Sequence, residues 1–137
     1  MERLHALSLA AMPGRRNITL DLAVEIEKRG FSGIYAPSMG DSLAFCQALA
    51  HVTHTISFGT SIMPIYFRQE VDFASTAAFI HEISGGRFKF GIGVSHAPAL
   101  KREGSPRANH SRTCGNLWSD FMRPLGWESF HRWYSRR

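Results

Sequence analysis

The chain holds 137 residues, 44% of them hydrophobic and 20% charged, the balance of an ordinary globular domain. No apolar run approaches the roughly 18 residues of a membrane helix, and the start Met1-Glu2-Arg3-Leu4 lacks the apolar stretch of a secretory signal, so a cytoplasmic protein off the membrane is expected. The net charge of +5 is local: residues 105–137 carry six Arg against Asp120 and Glu128, whereas residues 1–104 carry ten Lys and Arg against nine acids.

Along the chain, the first apolar run, Leu4 to Leu9, predicts a strand. A helix follows, with Ile18, Leu22 and Ile26 spaced four apart as its apolar face, Asp21 in its first turn and Gly30 as its stop. Phe31 to Ala36 predicts the second strand. Asp41 or Ser42 can cap a second helix bearing the stripe Phe45, Leu49 and Val52. Ile56 to Met63 is the third strand, and a third helix runs from about Glu70 through Phe73, Ala77 and Ile80 to Gly85-Gly86. Phe88 to Val94 is the fourth strand. Alternation of this kind predicts an α/β fold with parallel strands and right-handed crossovers, either an open doubly wound sheet or a barrel. Four βα units occupy about 100 residues against about 250 for a closed eight-stranded barrel, so the chain supplies about half of one.

Two cysteines, Cys46 and Cys114, are too few for a disulfide framework and have no zinc spacing, which predicts free thiols and no metal site. His51, His54 and His81 are expected in helices without ligand spacing and read as structural. No Ser-His-Asp order, carboxylate pair or phosphate loop is present, an absence consistent with a cofactor carrying the chemistry.

The run Ser84-Gly85-Gly86-Arg87-Phe88-Lys89-Phe90-Gly91-Ile92-Gly93-Val94-Ser95-His96 resembles the luciferase-like flavin-dependent oxidoreductases, a family that includes deazaflavin-dependent enzymes. So does Gly59-Thr60-Ser61-Ile62-Met63-Pro64 followed by Arg68. The resemblance runs from Leu4 to about Gly104. It implies a TIM-type barrel with FMN or a deazaflavin coenzyme across the C-terminal strand ends, and hydride transfer or monooxygenation of a small organic substrate. It also implies a non-proline cis peptide at Ser61-Ile62, against the cofactor ring; on strand position alone, Thr60, Ser61 and Ile62 simply finish a buried strand.

Gly91 and Gly93 lie near the end of the fourth strand, where a missing side chain admits another backbone or a planar ligand. Ser95 and His96 follow on the active face, and His96 is suited to donate to a cofactor carbonyl or phosphate, or to transfer a proton near neutral pH; a solvated loop histidine is the plainer alternative. Tyr66 and Arg68 are candidates to stack on the ring or hold an anion. Pro37, Ser38 and Asp41 are candidates to line the pocket, although capping a helix also accounts for Asp41.

Beyond Gly104 the apolar residues follow no period until Leu117. A permitted back-translation of Ser105 to Met122, read from its third base, gives a proline-glycine loop running into an amphipathic helix, similar to the family's continuation. Residues 1–104 are therefore expected to form the partial barrel and 105–137 an irregular, frame-shifted basic tail, making the chain a truncated family member, active or inert. A rival reading gives the Arg- and Trp-bearing tail a grip on nucleic acid or a membrane surface, but no recognition module accompanies it. Open half-barrel edges would favour self-association.

Overall fold

The computed structural model describes residues 4–93; the expectations for Val94, Ser95, His96, Cys114 and the 105–137 segment fall outside them. The elements are β1 (Leu7–Ser8), α1 (Arg16–Lys28), β2 (Gly33–Ala36), α2 (Ser42–Val52), β3 (Ser57–Thr60), β4 (Met63–Pro64), α3 (Glu70–Ile83), β5 (Phe88–Lys89) and β6 (Ile92–Gly93). Every ladder is parallel. Four strands form one sheet in the order β1-β2-β3-β5, and β4 pairs with β6 beyond it.

That order decides between the two architectures left open by alternation. A doubly wound sheet reverses its strand order and covers both faces with helices. Here the order is sequential, α1 packs on α2, and α2 packs on α3, so the helices lie side by side over one face. This is an arc of a βα barrel.

Register builds the core. Leu7, Ile34, Phe58 and Phe88 lie in one row across the sheet, and the last three are fully buried. The Phe58 and Phe88 rings stand 5.9 Å apart, tilted by 37°. Burying each such side chain contributes about 1.5–3 kcal/mol. The next row is Ser8, Tyr35, Gly59 and Lys89, on the other face, where Ser8 and Lys89 are exposed. α2 sits between its two neighbours and so buries Leu43, Phe45, Cys46, Leu49 and Ala50, more than one stripe.

α1 differs from expectation. Its buried residues are Thr19, Ala23 and Ile26, whereas Ile18 is 67% exposed and Leu22 is exposed too. Small residues let this helix approach its neighbours, and the Thr19 hydroxyl satisfies itself by donating to the Arg15 carbonyl at 2.9 Å. The helix begins at Arg16, which places Asp21 in its second turn. Gly30 ends it with φ of 79°, as Gly85 and Gly86 end α3 at 61° and 83°. Asp41 is the cap of α2, accepting from the Ala44 N–H at 3.1 Å.

Candidate functional site

The predicted third and fourth strands are each broken in two, and the breaks lie side by side. At the end of β3 the Thr60 hydroxyl donates to the Gly91 carbonyl at 2.7 Å and accepts from the Gly91 N–H at 3.0 Å, standing in for a strand's own backbone groups. The Ser61 N–H returns to the Ala36 carbonyl of β2 at 2.7 Å, the Ser61-Ile62 peptide is cis, and pairing resumes when Met63 and Ile65 donate to Gly91 and Gly93. The chain thus makes a step at Ser61-Ile62, leaving Ser61 exposed and Ile62 half-buried at the C-terminal end of the sheet.

The two glycines of the fourth strand serve this step differently. A side chain at Gly91 would collide with the Thr60 carbonyl, so the absent Cβ there admits backbone. At Gly93 a Cβ would lie 3.3 Å from the outer carbons of Ile62. Of the two occupants that the sequence allowed, Gly91 takes a neighbouring strand and Gly93 backs the Ile62 side chain.

The β2–α2 and β4–α3 loops flank the step. Ser38 is exposed on the first, and Tyr66 is half-buried on the second. Arg68 is not placed as a ready anion ligand: its guanidinium bridges Asp41 at 2.7 Å and Asp72 at 3.2 Å, which uses its charge inside the protein. Asp41 therefore caps α2 with one carboxylate oxygen and holds Arg68 with the other.

Sequence reasoning passed over another feature of this rim. Among the described residues, each of the three loops that lead from the C-terminal strand ends into a helix exposes one large apolar side chain: Met12 at 45%, Met39 at 54% and Phe67 at 43%. The available signal was a large apolar residue set among turn formers, as in Met12-Pro13-Gly14 and Ser38-Met39-Gly40. Such a rim suits an organic ligand, because binding sites are mostly apolar with a few placed polar groups.

The opposite end of the barrel arc is closed by two charged side chains. The Glu27 carboxylate accepts from the backbone N–H groups of His54, Thr55 and Ile56 and from the Thr55 hydroxyl, at 2.6–3.1 Å. Partial burial pushes its pKa up, but those donors outweigh the burial and hold the carboxyl below its ordinary value. Arg87 donates to the carbonyls of Ala50, Thr53, Ile56 and Ser84 and to the Thr53 hydroxyl, with its guanidinium carbon 5.2 Å from the Phe58 ring centroid. Its role in the Gly85-Gly86-Arg87 run is structural: it ties the start of β5 to the C-terminal end of α2.

Comparison with known proteins agrees with this geometry. The profile of the luciferase-like monooxygenase family matches residues 5–115. No curated protein matches the chain. Among solved structures, the coenzyme F420 dependent tetrahydromethanopterin reductase of Methanopyrus kandleri superposes with a TM-score of 0.63 at 23% identity, over 78% of this chain and 31% of that one. The oxygenating constituent of 3,6-diketocamphane monooxygenase from Pseudomonas putida, solved with FMN, gives 0.64 at 17% identity over 91% and 39%. A monooxygenase of Streptomyces bottropensis gives 0.69 at 13% identity over 88% and 42%. At these identities the superpositions speak to the fold, and the chain spans less than half the length of each. Among the described residues no helix is long and apolar enough to cross a membrane. A parallel βα arc, a step at the end of its third strand and a family match over most of its length lead to one assignment: the chain belongs to the luciferase-like monooxygenase family.

Proposed function

We propose that this chain contributes the ring-facing arc of a flavin or deazaflavin oxidoreductase site that acts on a small organic substrate. The observation that carries the reading is the C-terminal rim, where exposed Ser61 and half-buried Ile62 are flanked by loops presenting Met12, Met39 and Phe67. Supporting it, solved proteins of the same fold include one named as coenzyme F420 dependent and one in complex with FMN. When bound, the reduced coenzyme supplies a hydride or activates oxygen.

The residues present fit a planar ring. Ile62, backed by Gly93, offers an apolar surface for a ring face, Ser61 a hydroxyl for a ring edge, and the three apolar loop residues exclude water around it. Arg68 is assigned to holding the rim rather than to a phosphate, since it is already paired with two carboxylates of the chain. Ser95 and His96, which follow the last described strand, are assigned the polar contacts to the coenzyme, and Ser38 and Tyr66 the substrate side. On the same reading residues 1–104 make the family's βα portion, 105–137 are a frame-shifted segment, and the open sheet edges pair two copies of the chain. The nucleotide sequence downstream of codon 104 and sedimentation of the purified protein test these last two statements.

Titration of the protein with FMN and with a deazaflavin coenzyme, followed by coenzyme fluorescence, tests the site. Saturable quenching by at least one of them is expected, weakened in Met39→Ser and Phe67→Ser. Absence of saturable quenching with both overturns the assignment for this chain.

A further inference from the structure

We propose that Arg68 is a positioning residue that fastens the two rim loops beside Ser61 and Ile62 into a single unit. The inference concerns the rim's construction and rests on the proposed coenzyme site only in its last consequence. Arg68 lies on the loop that leads into α3, and its guanidinium reaches Asp41 at 2.7 Å, across to the start of α2, and Asp72 at 3.2 Å, in the first turn of α3. Both carboxylates are themselves anchored. Asp41 caps α2 through its second oxygen, and Asp72 belongs to a helix.

The bridge differs from an ordinary surface ion pair, which loses most of its attraction to water and to the entropy of two free side chains. Here the arginine is the most covered of the three side chains, 27% exposed against 48% and 54% for its partners, and one planar fork satisfies two carboxylates at once. A second consequence is electrostatic. The three groups sum to one negative charge, so an anionic ligand approaching Arg68 meets two carboxylates already paired with it. The side of the rim formed by these loops therefore favours neutral or cationic portions of a substrate.

Hydrogen exchange at single amides tests the bridge in the intact chain. The Ala44 N–H, held by Asp41, and the Phe67 N–H, which donates to the Pro64 carbonyl at 3.3 Å, report on the two loops separately. Arg68→Ala is expected to accelerate exchange at Ala44 about three- to fivefold although the substitution lies on the other loop. Asp41→Asn keeps a capping oxygen for Ala44 but loses the charge, and is expected to accelerate Phe67 to a similar extent. The double variant should add little beyond either single one at both amides. Acceleration confined to the substituted loop, or effects that add in the double variant, overturns the proposal. Should Arg68→Ala fail to fold, Arg68→Lys, which cannot fork two carboxylates, is judged by the same criteria. The coenzyme titration separates this inference from the proposed function: if the unaltered protein binds neither coenzyme, the site assignment falls, while exchange coupling still decides the role of Arg68.

Discussion

The two ends of the barrel arc are built on opposite principles. At the N-terminal end, Glu27 and Arg87 place their charges among backbone groups supplied by segments far away in sequence, the carboxylate accepting from N–H groups and the guanidinium donating to carbonyls. At the C-terminal end the strands break at Ser61 and Gly91, and Met12, Met39 and Phe67 face solvent. One end commits its polar groups to holding elements together, and the other leaves apolar side chains exposed around the strand ends. This matches the general division in βα barrels, where loops after the strands carry chemistry and the opposite end carries stability.

Substitutions sharpen or break that comparison. The largest effect is expected for Arg87→Ala, which strips hydrogen bonds from four carbonyls at once and should destabilise by about 3 kcal/mol, seen as a lower urea midpoint with an unchanged slope. A cost under about 1 kcal/mol would mean that water replaces the guanidinium freely. Next comes Thr60→Val, nearly the same shape without the hydroxyl that both donates to and accepts from Gly91; about 2 kcal/mol is expected, because the Gly91 N–H loses its partner and the Gly91 carbonyl keeps only the Met63 N–H. This variant asks whether the stepped end also carries stability where it joins the sheet.

Glu27→Gln retains shape but weakens the charge-assisted bonds, at about 1.5 kcal/mol near neutral pH. Because the folded carboxyl titrates below its ordinary value of 4.5, its contribution is complete above that value and declines as the pH falls through the lower, folded one. The gap between unaltered and Glu27→Gln protein should therefore narrow on acidification below about pH 4.5; a gap constant with pH would remove charge from the explanation. Met39→Ser and Phe67→Ser should change stability by no more than about 0.5 kcal/mol while weakening coenzyme binding, the reverse of the N-terminal variants. The smallest effect concerns Cys46, buried and with its thiol pushed well above the ordinary range by that burial and by the charge of Asp41. Alkylation mapped by mass spectrometry should leave Cys46 unmodified in the folded protein and label it only on unfolding.

Much of the architecture could be read locally. The alternation of apolar runs with capped, periodic helices predicted the three helices and four strand regions of the described residues, because Asp41, Gly30 and Gly85-Gly86 act through their own backbone neighbourhood. The face of α1 was misread, since Ile18 and Leu22 have the right spacing but Thr19 and Ala23 have the right size for close approach. Resemblance to a known family located the cis peptide at Ser61-Ile62, while the roles of Arg68 at the rim and of Glu27 and Arg87 at the opposite end were not legible. Apart from Asp72 beside Arg68 and Ser84 beside Arg87, their partners lie 27 to 37 residues away, beyond any local pattern.

The sequence by itself determined the element order and the family, for hydrophobic period, caps and the glycine-bearing motifs are properties of adjacent residues. Only the tertiary structure decided that the strands run in sequential order beneath one helical layer, that Gly91 yields its space to the Thr60 carbonyl, and that Arg68 is committed to Asp41 and Asp72. Each of those facts includes a meeting of groups distant along the chain, Arg68 with Asp41 among them. Their distances and hydrogen-bond geometry exist only once the helices have packed and the sheet has its register.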